Sequence, residues 1–107
     1  MSILGGAYCF VENELGERYE NPSEDLLFDF ASELKQPENG SFTVEPVVDS
    51  AGWYVSVSLL DDGKFETVYR CESREEHRVV VSDSPSTVSY DVTIWISGLP
   101  ESLKPRN

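Results

Sequence analysis

Residues 53–71 read WYVSVSLLDDGKFETVYRC, which is two alternating segments on either side of a turn. The alternating positions are Trp53, Val55, Val57 and Leu59 before the turn and Phe65, Thr67, Tyr69 and Cys71 after it. A period of two is typical of a β-strand that buries one of its faces. In the turn, Gly63 can adopt the positive φ that a tight hairpin with a bulge requires. The stretch therefore predicts an antiparallel hairpin whose apolar face needs a cover.

Further strands are predicted on both sides of this hairpin. Phe42, Val44 and Pro46 alternate before it, and residues 77–82 follow the charged turn at 73–76. Because the run 79–81 is three valines, apolar on both faces, we expect the last of these strands to be well covered. Near the start of the chain, residues 7–11 are aromatic and β-prone, and a turn at 13–16 separates them from residues 17–20. These segments predict a small opening hairpin and, later, a meander.

One amphipathic helix is predicted between these parts, from Pro22 to Lys35. Asn21 is suited to cap its first turn, Pro22 fits the first helical position, and Glu24 completes the pattern of a capping box. The apolar stripe consists of Leu27, Phe30, Ala31 and Leu34, spaced i, i+3, i+4 and i+7. Asp25, Asp29 and Glu33 recur every four residues and lie nearly opposite the stripe.

Residues 85–97 fit two structures. Their β-branched residues and the alternation from Val88 to Ile96 favour a strand. A Ser84-Pro85 start, a Gly98 stop and an apolar face at 88, 92, 95, 96 and 99 fit a helix. Local propensity leans toward the strand, and the sequence alone leaves both open.

Together these elements predict an α+β fold: an antiparallel four- to five-stranded sheet packed on one amphipathic helix, with a second C-terminal helix or strand. A chain of 107 residues is long enough for one core, so we expect residues 1–107 to form a single domain, with 101–107 as a flexible tail. The start of the chain has neither a basic region nor a long apolar run, and no segment approaches the length of a membrane span. We therefore expect a cytoplasmic location.

Charge is the strongest indication of function. Twenty acidic residues oppose eight basic ones, a formal net charge of −12, and residues 1–49 hold eleven acidic residues against two basic ones, a net −9. Such a field repels nucleic acids and anionic membranes and attracts basic partners. The same acidity also serves solubility alone in many small domains. The candidate partner-binding residues are Glu17, Glu20, Asp25, Asp29 and Glu33, with Asp61 and Asp62 at the hairpin tip as a second place.

The sequence predicts no enzyme, metal site or cofactor. His77 is the single histidine, it lies in a predicted strand, and no nucleophile elbow, phosphate-binding glycine loop or metal-ligand spacing is present. Asp61 and Asp62 provide too few oxygens for calcium and suit a turn better. Cys9 and Cys71 are far apart and match no redox motif, so we interpret them as buried apolar side chains, with one disulfide left open.

The order of elements resembles that of small bacterial immunity proteins, the cytosolic inhibitors of polymorphic toxins delivered by contact-dependent or type VI routes. The resemblance covers most of residues 7–98: the opening hairpin, the Asn21-Pro22-Ser23-Glu24 helix start, the strand at 52–55, the strand at 63–70, the strand near His77 and the closing residues 95–98. It implies that Gly63, Glu66, Tyr69, Arg70 and His77 correspond to family positions and that the closing segment is helical. It also implies inhibition by tight binding to a cognate toxin domain, without catalysis.

Two other classes remain open at this stage. An acidic nucleic-acid mimic of a phage, which inhibits a defence nuclease, would need carboxylates spaced like phosphates along one face, and here much of the charge lies in turns. An accessory subunit of a larger assembly could use Trp95 and the apolar closing segment as an interface. The sequence does not decide the oligomeric state.

Overall fold

The computed structural model describes residues 8–100 and Leu103. These residues form six strands and two α-helices, an α+β arrangement as predicted. The elements in chain order are β1 (Cys9–Asn13), β2 (Arg18–Glu20), α1 (Glu24–Ser32), β3 (Ser41–Pro46), β4 (Trp53–Leu59), β5 (Phe65–Cys71), β6 (Glu76–Ser82) and α2 (Pro85–Ser97). Short 3₁₀ helices lie at Asp49–Ala51 and Glu72–Arg74. The predicted tail at 101–107 lies outside the described residues, apart from Leu103.

All six strands belong to one antiparallel sheet in the order β2-β1-β3-β4-β5-β6. The hairpin of β4 and β5 is confirmed, with Leu59 opposite Phe65 and Gly63 at a φ of +87°. The expected count of four or five strands was too low because the opening hairpin joins the same sheet: β1 pairs with β2 on one side and with β3 on the other. The strands of the first half of the chain therefore occupy one half of the sheet.

Both helices cover the same face of this sheet, which we call the helix face; the other is the open face. Phe30 of α1 packs edge-to-face on Phe42 of β3, with ring centroids 5.9 Å apart. Trp95 of α2 lies 5.9 Å from the ring of Trp53 and 5.2 Å from that of Tyr69. The expectation of one packed helix is thus corrected to two, which share a single buried cluster with the alternate residues of β1, β3, β4 and β5.

The start of α1 differs from the prediction. Ser23 is the N-cap, and its hydroxyl accepts a hydrogen bond from the N–H of Leu26 at 3.1 Å. Asn21 instead has a φ of 46°, and its side-chain oxygen accepts hydrogen bonds from the N–H groups of Tyr8 and Cys9. Asn21 therefore ties the start of the helix to β1, and α1 runs from Glu24 to Ser32 rather than from Pro22 to Lys35.

The closing segment is a helix, which decides between the two structures the sequence left open. Ser84 caps α2 by accepting a hydrogen bond from the N–H of Thr87 at 3.2 Å, and Pro85 occupies the first turn. The face at 88, 92, 95, 96 and 99 is buried, as a helix requires. Tertiary packing overrides the strand propensity of the β-branched residues. As a helix, the segment covers the apolar helix face of the sheet, whereas a further strand would leave part of that face exposed to water.

Several smaller expectations are also settled. Cys9 and Cys71 are buried and free, and β3 and β4 lie between their strands, so the open possibility of a disulfide is not realised. The longest described helix, α2, has 13 residues, and none of the helices in the described part of the chain is long and apolar enough to cross a membrane. The expectation that residues 77–82 are well covered was wrong, because β6 is the edge of the sheet and exposes Val79 and Val81.

Candidate functional site

The outer surface of α1 holds the acidic row that the sequence predicted. Leu27, Phe30 and Ala31 are buried in the core between α1, the sheet and α2, and Asp25, Asp29 and Glu33 are all exposed. The helix therefore orients its carboxylates toward solvent because its apolar stripe fixes the rotation of the helix on the sheet.

The charges of this row are not balanced within the helix. Glu24 and Asp25 lie in the first turn, where the positive end of the helix dipole stabilises carboxylates. Glu33 is the C-cap and no basic residue lies in the last turn, so the negative end of the dipole opposes it. Like charges four residues apart each cost a few tenths of a kcal/mol. Among residues 8–100, the ion pairs join Lys64 to Asp83 and Glu76 to Arg74 and Arg78, and none involves the row.

Phe28 is an exposed aromatic residue on the same helix and is not among the predicted binding residues. Its side chain is 40% exposed, and it lies one turn after Glu24 and Asp25. Aromatic side chains surrounded by polar groups are frequent energetic centres of protein interfaces. The signal in the sequence was the run Leu26-Leu27-Phe28, in which Phe28 falls outside the i, i+3, i+4 stripe.

The structure separates the two candidate residues of the opening hairpin. Glu17 lies at the β1–β2 turn, where its carboxylate accepts a hydrogen bond of 2.7 Å from the side-chain amide of Asn13, a residue buried on the helix face. Glu20 pairs with Phe10, so its side chain lies toward the open face. The carboxylate of Glu17 therefore lies on the helix face, where α1 also lies, whereas the side chain of Glu20 lies on the open face.

Asp61 and Asp62 are exposed at the tip of the β4–β5 hairpin. The carboxylate of Asp62 accepts a hydrogen bond from the N–H of Lys64 at 3.0 Å, which stabilises the turn. The tip projects from the end of the sheet at which β1 meets β2, since Ser41 is opposite Ser58 and Phe42 is opposite Asn13. The helix C-terminus reaches the same end, because the side-chain amide of Asn39 donates to the carbonyl of Glu33. The hairpin is a separate acidic projection, with β3 between it and the opening hairpin.

The order of the strands places the more acidic first half of the sequence at one side of the molecule. Residues 1–49, with their net −9, contain β1, β2, α1 and β3, which are neighbours at one side of the molecule. We call this side the acidic half. The remaining residues share a net −3, the difference from the total of −12. The field that a partner meets is therefore directional.

Among the described residues outside the acidic half, Arg74 and Arg78 are engaged in a cluster around Glu76. Arg74 and Arg78 form ion pairs with Glu76 at 2.8 and 3.7 Å, and their guanidinium groups lie over the rings of Trp95 and Tyr69. The carboxylate of Glu76 also accepts a hydrogen bond from the indole N–H of Trp95 at 3.1 Å. Burial, and secondarily the charge of Asp91, raises the pKa of Tyr69 to about 12. This cluster joins α2 to the sheet and is structural.

The described residues show no arrangement for metal binding, since no group of three or more His, Cys, Asp or Glu side chains in residues 8–100 is placed to hold an ion. His77 is exposed on the open face of β6, opposite Arg70. Burial raises the pKa of the Cys9 thiol to about 11, so the thiolate needed for nucleophilic chemistry is disfavoured. The exposed carboxylates of α1 can accept charge-assisted hydrogen bonds from cationic groups.

Comparisons with known proteins found no match: no protein-family model, no curated protein sequence and no solved structure is similar to this chain at a significant level.

Proposed function

We propose that this protein is an immunity protein, which neutralises a cognate toxin domain by binding it through the acidic half. In this proposal the toxin domain is basic, the binding takes place in the cytoplasm, and the protein catalyses nothing itself. Neither a nucleic acid nor a membrane is a partner, because the field of the acidic half repels both phosphate backbones and anionic lipids.

The observation that supports the proposal most is the exposed, unbalanced acidic row on α1. Asp25, Asp29 and Glu33 repel one another and form no ion pair with any residue of 8–100. A partner that contributes lysine or arginine removes this repulsion and accelerates encounter by electrostatic steering. Phe28 adds an apolar anchor beside the carboxylates.

The resemblance to immunity proteins supports the same function. It rests on the order of elements and a few residue types, and it implies a helical closing segment, which is the structure of residues 85–97. Inhibitors of this kind occlude a toxin's active site, and an exposed acidic surface on a rigid scaffold suits that task.

The first experiment identifies the partner. A tagged copy of this chain, expressed in its native host, is used for a pull-down with mass spectrometry, and the gene beside its own is tested in co-expression. We expect capture of a basic toxin domain and survival of cells that express both genes. Recovery of a DNA-binding nuclease would instead favour the nucleic-acid mimic, and recovery of a stable multi-subunit assembly would favour the accessory subunit. Failure to rescue cells from the neighbouring toxin would refute the immunity function.

The second experiment locates the surface. The double variant Asp25→Lys/Asp29→Lys should slow association with the captured partner by more than about tenfold at low salt and reduce the salt dependence of the association rate. Asp61→Lys/Asp62→Lys is the matched control, because it makes the same change in charge at the hairpin tip. Both variants should fold, since exposed substitutions usually alter stability by less than about 0.5 kcal/mol. The reverse pattern, in which only the hairpin variant binds slowly, would move the binding site to Asp61 and Asp62.

A further inference from the structure

The two edges of the sheet differ in how they are protected. Strand β2 has only three residues, Arg18, Tyr19 and Glu20, two of them charged. Strand β6 has seven, with three consecutive valines at its centre and no proline. Native proteins usually blunt an edge with charges, prolines, bulges or a short strand, because an open edge pairs with other chains. In the part of the chain that the structure describes, β6 carries none of these devices between Val79 and Ser82.

The outward-facing backbone groups of β6 follow from the hydrogen-bond pattern of the sheet. The N–H of Leu60 donates to the carbonyl of Lys64 at 2.8 Å, and the N–H of Glu72 donates to the carbonyl of Gly52 at 2.9 Å. The even-numbered residues of β5 therefore form their backbone hydrogen bonds with β4. The odd-numbered residues of β5 form their backbone hydrogen bonds with β6, and their partners there are the even-numbered residues of β6. The backbone groups of His77, Val79 and Val81 therefore point away from the sheet.

Exposed apolar side chains flank this edge on both faces. On the open face, Val79 and Val81 are 53% and 54% exposed. On the helix face, Tyr90 and Ile94 of α2 are 55% and 52% exposed, and they line a concavity with Val80 of β6. Four of the ten large hydrophobic side chains exposed in the described residues thus lie along one strand edge.

We propose that β6 pairs antiparallel with β6 of a second copy of this chain, so that the two sheets join into one across a twofold axis. In the register that places Val80 opposite Val80 of the second copy, Val79 is opposite Val81. Each Val79–Val81 pair exchanges backbone hydrogen bonds between the outward-facing groups. The same register places Arg78 opposite Ser82 and His77 opposite Asp83. The edge is therefore self-complementary, as an isologous interface requires.

Charge explains why the occupant is a second copy. Residues 77–82 contain one charged side chain, that of Arg78, so the only acidic residue of β6, Glu76, lies at its start, where it pairs with Arg74 and Arg78. The acidic half lies at the opposite edge of the sheet, and joining two copies through β6 keeps the two acidic halves as far apart as the sheet allows. Asp83 of each copy approaches His77 of the other.

The helices leave room for this pairing. Helix α2 packs over β5, where Trp95 contacts Tyr69. The two β5 strands in the joined sheet are three strand intervals apart, roughly 14–15 Å. Packed helices need only about 8–10 Å between their axes, so the two α2 helices do not clash. Tyr90 and Ile94 fill the space between them and lose their exposure to water.

The test measures association against concentration and salt. Sedimentation equilibrium of the wild-type chain, from about 1 to about 500 μM, should show a monomer–dimer equilibrium. Dimerisation should strengthen as salt is added, because salt screens the repulsion between two chains of net charge −12. The variant Val79→Lys/Val81→Lys places lysines opposite lysines and should weaken the dimer by more than about tenfold. The matched control, Val47→Lys/Val48→Lys, changes two other exposed valines and should leave the dimer intact.

A cross-link tests the register separately from stability. Residue 80 meets its own copy at the axis in a non-hydrogen-bonded pair, a spacing within the reach of a disulfide. Oxidised Val80→Cys should run as a covalent dimer on a non-reducing gel, and Val47→Cys should not. Native Cys9 and Cys71 are buried and do not interfere. A wild-type chain that stays monomeric, a dimer insensitive to Val79→Lys/Val81→Lys, or cross-linking through Val79→Cys in preference to Val80→Cys would each overturn the proposal.

Discussion

Replacing Phe30 by alanine tests the packing of α1 on the sheet and, through it, the orientation of the acidic row. Phe30 is 3% exposed, and its ring makes edge-to-face contacts at 5.9 Å with both Tyr19 and Phe42. The substitution therefore removes contacts to the edge strand β2 and to β3 at once. Phe28 is the matched control, because it lies in the same helix but is 40% exposed.

The expected loss follows from burial and cavity formation. A buried phenylalanine truncated to alanine costs about 3–5 kcal/mol, which includes about 0.5–1.5 kcal/mol for each aromatic contact. A domain of this size has about 5–15 kcal/mol of total stability, so Phe30→Ala should leave a folded but weakened protein. Phe28→Ala loses only part of an exposed ring and should cost less than about 1 kcal/mol.

Urea unfolding followed by tryptophan fluorescence is suited to this measurement, since Trp53 and Trp95 are both buried. With a slope of about 2 kcal/mol per M, the midpoint for Phe30→Ala should fall by about 2 M, and the midpoint for Phe28→Ala by less than about 0.5 M. Equal losses for the two variants, or a loss below about 1 kcal/mol for Phe30→Ala, would show that α1 is rotated differently and that the acidic row is not its outer face.

Two further predictions concern α2 and alkaline pH. Ser84→Ala removes the cap that bonds the N–H of Thr87 and should cost about 1 kcal/mol in the same urea assay, while Ser86→Ala on the exposed first turn should cost less than about 0.5 kcal/mol. Burial raises the pKa of Tyr69 from 10.0 to about 12 and that of Cys9 from 9.0 to about 11, so the unfolded chain loses these protons first. Their contribution to stability is complete below about pH 9 and is lost as the pH rises toward 12. Urea midpoints measured from pH 8 to 11 should fall, and the fall should be shallower in Tyr69→Phe; a midpoint independent of pH would contradict this.

Local signals in the sequence were sufficient for the elements that carry their own pattern. The β4–β5 hairpin was predicted because alternation and Gly63 specify both strands and the turn between them. The stripe of α1 was predicted because the spacing of Leu27, Phe30 and Ala31 has only one helical interpretation. Both patterns depend on residues within a few positions of one another. The local structure that each pattern favours is the one found in the folded chain.

The candidate site was predictable only in part. The exposure of Asp25, Asp29 and Glu33 follows from the position of the stripe, which is local. The placement of Glu20 on the open face follows from the register of β2 on β1, and the exposure of Phe28 depends on how far the sheet and α2 extend around α1. Register and coverage depend on distant residues, so the sequence does not contain a local signal for them.

The sequence by itself therefore determined the main elements and the sign and uneven distribution of the charge. The tertiary structure alone decided that β1 lies between β2 and β3, which gathers the acidic residues of the first half at one side, and that β6 is an open edge. It also decided that residues 85–97 are a helix. A segment of β-branched residues favours a strand by propensity, but the rings of Trp53 and Tyr69 and the carboxylate of Glu76 offer Trp95 a buried position that only a helix over the sheet can reach. Burial of that face is worth several kcal/mol, whereas propensity differences amount to a few tenths of a kcal/mol per residue, so tertiary packing prevails.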